Sequence, residues 1–207
     1  MLAKGCKKWL STTILSTVFF FILYFMTRAY IILGVAVVFL GLSVFFTIFF
    51  RDPERHGVIS EDHMLSPADG RIIDIRNRKL CIFMNLSDVH VNRAPMDGRV
   101  LSVTHYDGGY MPAFNKDAAT NERSVMKMET PYGIVEITQI AGAWVRRIHS
   151  YVRPGDTISQ KQRFGVILFG SRVDITIPDD FELCVSENDK VKAGTTVIAR
   201  RMRPEKN

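Results

Sequence analysis

The sequence predicts a mainly β domain, a sandwich or barrel, carried behind an N-terminal transmembrane helical hairpin. Three observations predict it. Residues 1–50 contain no Asp or Glu and hold two long apolar runs. Beyond them the chain breaks into short β-prone stretches divided by Gly, Pro, Asn or Asp, with no long stretch of helical period. A strand–turn–strand pattern then occurs twice near the C-terminus.

Trp9–Met26 and Ala29–Phe50 are free of charged residues, and only Thr27-Arg28 separates them. Each is close to the roughly 20 residues that cross a bilayer as a helix. A secretory signal peptide would explain Lys7-Lys8 and the first run, but no small-x-small cleavage site follows and a second span begins at once. One long interrupted helix or a shallow re-entrant hairpin also fits these runs; in a spanning hairpin both ends lie on one side. Lys4, Lys7 and Lys8 precede the first span, Arg51 and Arg55 follow the second, and Arg28 alone marks the far turn. The positive-inside bias then places residues 51–207 on the cytoplasmic face of the cell membrane.

Four of the 27 basic residues lie in the first 50 positions, leaving 23 against all 21 acidic ones beyond. That balance gives no electrostatic reason for a nucleic-acid partner. Cys6, Cys81 and Cys184 are widely spaced, with no C-x-x-C pair, and the five histidines show no ligand spacing. Neither a disulfide framework nor a metal site is expected.

In order, the strand candidates are Gly70–Ile75, Leu80–Met84, Arg99–Val103, Ser124–Met128, Gly133–Ile137, Gly165–Phe169 and Val173–Ile177. The repeat pairs Val152-Arg-Pro-Gly-Asp156-Thr-Ile158 with Val185-Ser-Glu-Asn-Asp189-Lys-Val191, each running on to a glycine and a further strand. This resembles the half-motifs of biotinyl/lipoyl-type domains, and so a barrel-sandwich-hybrid fold.

The Gly170-Ser171 pair interrupts two strand-like runs. Glycine there reads as a bulge or bend. It also reads as a self-cleavage site, because a serine hydroxyl can attack the carbonyl of an unhindered glycine before it. Other local clusters precede it: Phe49-Phe50-Arg51-Asp52-Pro53-Glu54-Arg55, Ser66-Pro67-Ala68-Asp69-Gly70, Asp88-Val89-His90-Val91-Asn92-Arg93-Ala94-Pro95, Asn121-Glu122-Arg123 and Ala141-Gly142-Ala143. Each alone fits a turn, a strand end or a solvated polar cluster.

Together and in this order the collar, S-P-A-D-G, D-V-H-V-N-R-A-P, N-E-R and F-G-S resemble the phosphatidylserine decarboxylase family over about residues 45–200, closest to its short bacterial and archaeal branch. The resemblance implies a proenzyme that cuts itself between Gly170 and Ser171 into a β chain 1–170 and an α chain 171–207, which stay associated. The domains expected are a membrane hairpin, 1–50, and a decarboxylase domain, 51–207. It implies a covalent pyruvoyl cofactor made from Ser171, with neither pyridoxal phosphate nor metal. This group would form a Schiff base with the serine amine of phosphatidylserine or archaetidylserine, a membrane phospholipid, and yield the ethanolamine lipid and CO2. It implies His90 as base and proton donor, with Asp69 orienting it. Arg93, Asn121, Glu122 and Arg123 become candidate substrate contacts. Longer relatives carry a second histidine where this chain has Arg93, and arginine does not serve as a base. His90 is then expected to perform both tasks, with His105 and His149 as the remaining candidates.

A rival reading is a membrane-anchored carrier or adaptor without decarboxylase activity, because Met126-Lys127-Met128 resembles a biotin acceptor. An acceptor lysine lies at a hairpin tip. Here Ser124–Thr130 alternates as a strand and the turn falls at Pro131-Tyr132-Gly133. Asp107–Ala119, rich in glycine at its start, reads either as a lid or lipid-entry loop or as an ordinary connection.

Overall fold

A computed structural model describes residues 1–57, 59–109, 120–142, 147–168 and 171–202. Gly170, Phe169, Ala143 and most of the candidate lid, residues 110–119, lie outside the described residues. The chain forms two compact units, Met1–Pro53 and Glu54–Asn207.

The first unit is a pair of helices, α1 (Lys7–Thr27) and α2 (Tyr30–Phe49). Both are long and apolar enough to cross a membrane. At 1.5 Å per residue each is about 30 Å long. Arg28 closes α1 in the left-handed conformation, φ 56°, and its N–H donates to the Tyr24 carbonyl. Contacts between the helices run in opposite senses: Phe20 stacks on Phe39, Trp9 meets Phe46 edge-on, and the hydroxyls of Thr17 and Ser43 lie 3.4 Å apart. The pair is therefore an antiparallel hairpin. Thr13, Thr17 and Ser43 also bond carbonyls of their own helices, which satisfies these three hydroxyls within an apolar segment.

The second unit is mainly β, as expected. Its strands are β1 (His63–Leu65), β2 (Gly70–Arg76), β3 (Lys79–Met84), β4 (Val91–Arg93), β5 (Gly98–Tyr106), β6 (Arg123–Thr130), β7 (Gly133–Ile140), β8 (Arg147–Ser150), β9 (Thr157–Ile158), β10 (Arg163–Leu168), β11 (Ser171–Thr176), β12 (Phe181–Leu183), β13 (Lys190–Val191) and β14 (Val197–Arg201). The large sheet runs β13-β2-β3-β11-β7-β6-β5-β9 and curls as a half-barrel. Two three-stranded sheets, β1-β14-β12 and β4-β10-β8, accompany it. Every strand candidate named above lies in or overlaps one of these strands. The core lies on the face bearing Leu80, Ile82, Met84, Val135, Ile137, Val173 and Ile175, closed by Met64, Phe164, Phe181 and Ile198.

The repeat is real in three dimensions. Asp156 Oδ2 accepts from the Arg153 N–H and Asp189 Oδ2 from the Ser186 N–H, each at 2.8 Å. Gly155 and Asn188, one residue before each aspartate, both have positive φ. Each turn feeds a two-residue strand at one end of the large sheet, β9 or β13.

Candidate active site

Ser171 opens β11, an interior strand of the large sheet. All six residues of β11 pair with β3, from Ser171↔Met84 to Thr176↔Lys79, and Arg172–Ile175 pair with β7. Alternation along the strand turns Ser171, Val173 and Ile175 to the core face and Arg172 and Asp174 away from it. Ser171 is wholly buried, and its Oγ has no hydrogen-bond partner among the described residues. Leaving a buried hydroxyl unsatisfied costs about 1–3 kcal/mol, so such a position calls for an explanation.

Asn92 and Gln139 lie around it. Met84, directly across from Ser171, places its sulfur 3.8 Å from the Asn92 side-chain nitrogen. Gln139, one rung away on the same face of β7, donates Nε2–H to Asn92 Oδ1 at 2.7 Å. Asn92 is completely buried. Gly165 on β10 leaves room for this amide pair: a Cβ there would lie 2.8 Å from Gln139 Nε2 and 2.9 Å from the His149 carbonyl. On the other side of the site, Asn121 Nδ2 donates to the Ala141 carbonyl and the Ala141 N–H to the Glu122 carbonyl, both 2.9 Å. Thus N-E-R stands at the end of β6, beside the end of β7 that faces Ser171. Glu122 also holds the His105 ring at 3.1 Å. Arg123 lies over the Tyr106 ring, 4.6 Å from its centre.

His90 is buried just before β4, and β10 fixes its backbone: the Ile167 N–H donates to the His90 carbonyl. Its Nδ1 lies 2.9 Å from the Asp88 carbonyl. A carbonyl only accepts, so Nδ1 is the donor in this contact, which leaves Nε2 as the ring nitrogen available for proton transfer.

The bonds of Asp69 run to other residues than His90. Its carboxylate takes Arg55 Nη2 at 2.6 Å and the Ala193 N–H at 2.8 Å. The cause is local geometry. Gly70, at φ 150° and with Phe83 O only 2.1 Å from a would-be Cβ, turns the S-P-A-D-G segment sharply into β2. That turn points Asp69 toward the β13–β14 connection. Ser66 reinforces the tie, exchanging main-chain bonds with Gly194 and Thr196.

Arg93 is joined to this tie as well. It is buried, its N–H bonds the Pro67 carbonyl, and its Nη1 reaches the Lys161 carbonyl at 3.2 Å. Adjacent strand residues face opposite ways, so Arg93 and Asn92 lie on opposite sides of β4. Nearby Glu54 pairs with Arg163 at 2.8 Å, and that hydrogen bond holds the Glu54 carboxyl below its usual value.

Arg172 and Asp174 form a two-pronged ion pair, 2.6 and 2.8 Å, buried on the far face of β11 with Lys79 3.3 Å from Asp174. Burial works against the Arg172 charge, but the bond to Asp174 outweighs it and raises the guanidinium pKa. His149 is exposed on β8. Lys127 stands mid-strand in β6, opposite Glu136, while the turn lies at Pro131–Tyr132. No cluster of metal-ligating residues occurs among the described residues.

Sequence reasoning passed over Arg55, Asn92, Gln139 and the Arg172–Asp174 pair as site residues. Two signals were present. Gln139 is the polar member of the otherwise apolar inward series Val135, Ile137, Gln139, and Arg172–Asp174 are opposite charges two apart on one strand face.

The site is thus a buried serine at the start of an interior strand, with a buried imidazole and a buried amide pair on the neighbouring elements, an arrangement suited to nucleophilic chemistry on the chain itself. The family model for phosphatidylserine decarboxylase matches residues 42–79 and 75–199. A Methanosarcina acetivorans protein named "Putative archaetidylserine decarboxylase proenzyme" is 50% identical over 200 residues, 96% of each chain. A Methanococcoides burtonii protein of the same name is 45% identical, covering 97% of each. The "Phosphatidylserine decarboxylase proenzyme" of Streptomyces avermitilis is 41% identical over 96% of this chain and 93% of its own. The chain belongs to the phosphatidylserine decarboxylase family.

Proposed function

We propose that this protein is a self-cleaving, pyruvoyl-dependent carboxy-lyase that removes CO2 from the serine headgroup of a membrane phospholipid, phosphatidylserine or archaetidylserine. The observation that carries the proposal is Ser171 Oγ, buried and without a partner among the described residues, in the segment where the family's motifs meet. Cleavage at Gly170–Ser171 would give a β chain 1–170 and an α chain 171–207.

Ser171 fits the group it would become. An interior strand paired on both sides keeps a new chain start in place, and its full burial shields a reactive ketone. The pyruvoyl group supplies an electrophilic carbonyl that takes up the electrons left by the departing carboxylate. His90 Nε2 accepts the Ser171 hydroxyl proton during cleavage and returns a proton to the substrate carbon later. Arg123, Asn121 and Glu122 stand at the same end of the sheet and are the candidate headgroup contacts.

The two chains would remain one protein. β11 stays in the large sheet, β13 pairs with β2, and β14 joins β1 to β12. Asp69 bonds Ala193 across the division. The hairpin holds the enzyme at its lipid substrate, and the lysines beside it favour a cytoplasmic catalytic unit.

Intact-mass spectrometry of the full-length protein tests the reading. The expected result is two chains, the smaller starting at position 171 with a blocked N-terminus. A decarboxylating preparation made of one full-length chain with unmodified Ser171 refutes it. Supplying diacyl and ether-linked serine lipids in parallel identifies the substrate's tails, and a streptavidin blot tests the carrier reading.

A further inference from the structure

The reading above leaves a buried amide pair beside Ser171 without a task. Asn92 is completely buried, and the contact recorded for its Nδ2 is the Met84 sulfur at 3.8 Å. Thioether sulfur is a weak acceptor. A buried amide N–H2 so placed holds donor capacity in reserve. Its direction is set from the other side, where Gln139 Nε2 donates to Asn92 Oδ1 at 2.7 Å and so commits Oδ1 as acceptor. That bond keeps Nδ2, rather than Oδ1, on the Met84 side. Met84 is the cross-strand neighbour of Ser171, with Cβ atoms of such pairs about 5 Å apart. Gly165, glycine where a Cβ would strike the Gln139 amide, preserves this arrangement.

We infer that Asn92 is a further catalytic residue of self-cleavage, donating Nδ2–H to the oxygen that becomes negative when Ser171 attacks, and that Gln139 is the positioning residue that aims it. The inference rests on Ser171 being the nucleophile. In the step, the Ser171 Oγ–C bond forms at the carbonyl carbon of residue 170 and the hydroxyl proton passes to His90 Nε2. The carbonyl π electrons move onto the carbonyl oxygen. That oxygen then re-forms its double bond as the C–N bond breaks, the amine nitrogen takes the proton from His90, and an ester remains. The charged oxygen is one bond removed from the carbon that Oγ joins, so a donor beside the Ser171 side chain can serve it. Met84 gives way easily, since an unbranched thioether changes rotamer at little cost. This assigns the stabilising donor to a residue of β4 two positions after His90.

The test uses full-length protein made by cell-free translation, with the rate of chain scission followed by intact mass and folding checked by thermal midpoint. Removal of one preorganised donor typically slows such steps ~100- to 1,000-fold. Asn92→Asp keeps the shape and the bond from Gln139 but lacks the N–H2, and is expected to cut about 100-fold more slowly. Gln139→Glu accepts where Gln139 donates, turns the Asn92 amide over, and is expected to slow cutting as much. Gln139→Leu only frees the amide to rotate and is expected to be slowed less, about 10-fold. This order, Glu slower than Leu, is opposite to what a packing role predicts for the isosteric variant. Asn92→Asp cutting within threefold of wild type, or Gln139→Leu slower than Gln139→Glu, overturns the inference while leaving Ser171 as nucleophile. A wild-type chain that never cuts refutes the Ser171 reading and this inference with it.

Discussion

Asp69→Asn separates two accounts of a residue that the family's motif makes prominent. As a partner of His90 it would govern cleavage; as the tie seen here it governs stability. Arg55 and Asp69 side chains are only 13% and 11% exposed, and their oxygen–nitrogen distance is 2.6 Å. Exposed ion pairs are worth about 0–1 kcal/mol, whereas cutting a buried pair costs about 3–5 kcal/mol. Asparagine keeps an oxygen for the Ala193 N–H and loses only the charged bond, worth about 1.5–3 kcal/mol. The expected loss is therefore about 2 kcal/mol. For a chain of this size that lowers the thermal midpoint by about 4–8 °C. The measurement is far-UV circular dichroism of full-length protein in detergent, in a Ser171→Ala background so that a single covalent chain unfolds. Scission of Asp69→Asn with Ser171 present should stay within a few-fold of wild type. A midpoint within 1 °C of the parent, together with abolished scission, would refute the reasoning and return Asp69 to His90.

His90→Ala should remain one chain by intact mass, whereas Arg93→Ala should cut, because arginine does not serve as a base and this one holds the Lys161 carbonyl; a His90→Ala protein that cuts normally removes His90 from the first step. Burial pushes the Cys81 thiol up to about 12, with Asp174 adding to the effect, while Cys184 is exposed. Iodoacetamide at pH 8 should therefore label Cys184 readily and leave Cys81 untouched until the protein unfolds. Because the folded pKa of Cys81 is raised, its contribution to stability is complete below the unfolded value near 8.5 and declines as pH rises toward about 12. Cys81→Ala should flatten that alkaline loss in a midpoint-versus-pH series. Protease added outside intact cells should spare residues 54–207, and digestion of that unit from outside would reverse the proposed orientation.

What the sequence determined on its own was local. Two charge-free runs of bilayer length become α1 and α2, because helix length and lipid exposure need nothing but composition and span. Alternation over Gly133–Ile137 and Val173–Ile177 sets which side chains face the core, because the period of two is a property of the strand itself. The turn residues Gly155-Asp156 and Asn188-Asp189 mark the repeat for the same reason. Motif order points to the family without any coordinates. Tertiary structure decided who meets whom. Asp69 and His90 look like partners in the motif, yet Asp69 reaches Arg55, 14 positions back, and Ala193, 124 positions on. The burial of Ser171 Oγ depends on β3, drawn from a hairpin nearly 90 positions earlier, lying against β11. Gln139 meets Asn92 because two separate sheets come together, and no spacing in a linear chain encodes that distance. Residues at the ends of such contacts are ordinary in sequence, since their chemistry is conferred by the neighbour that folding brings and by the water that folding removes.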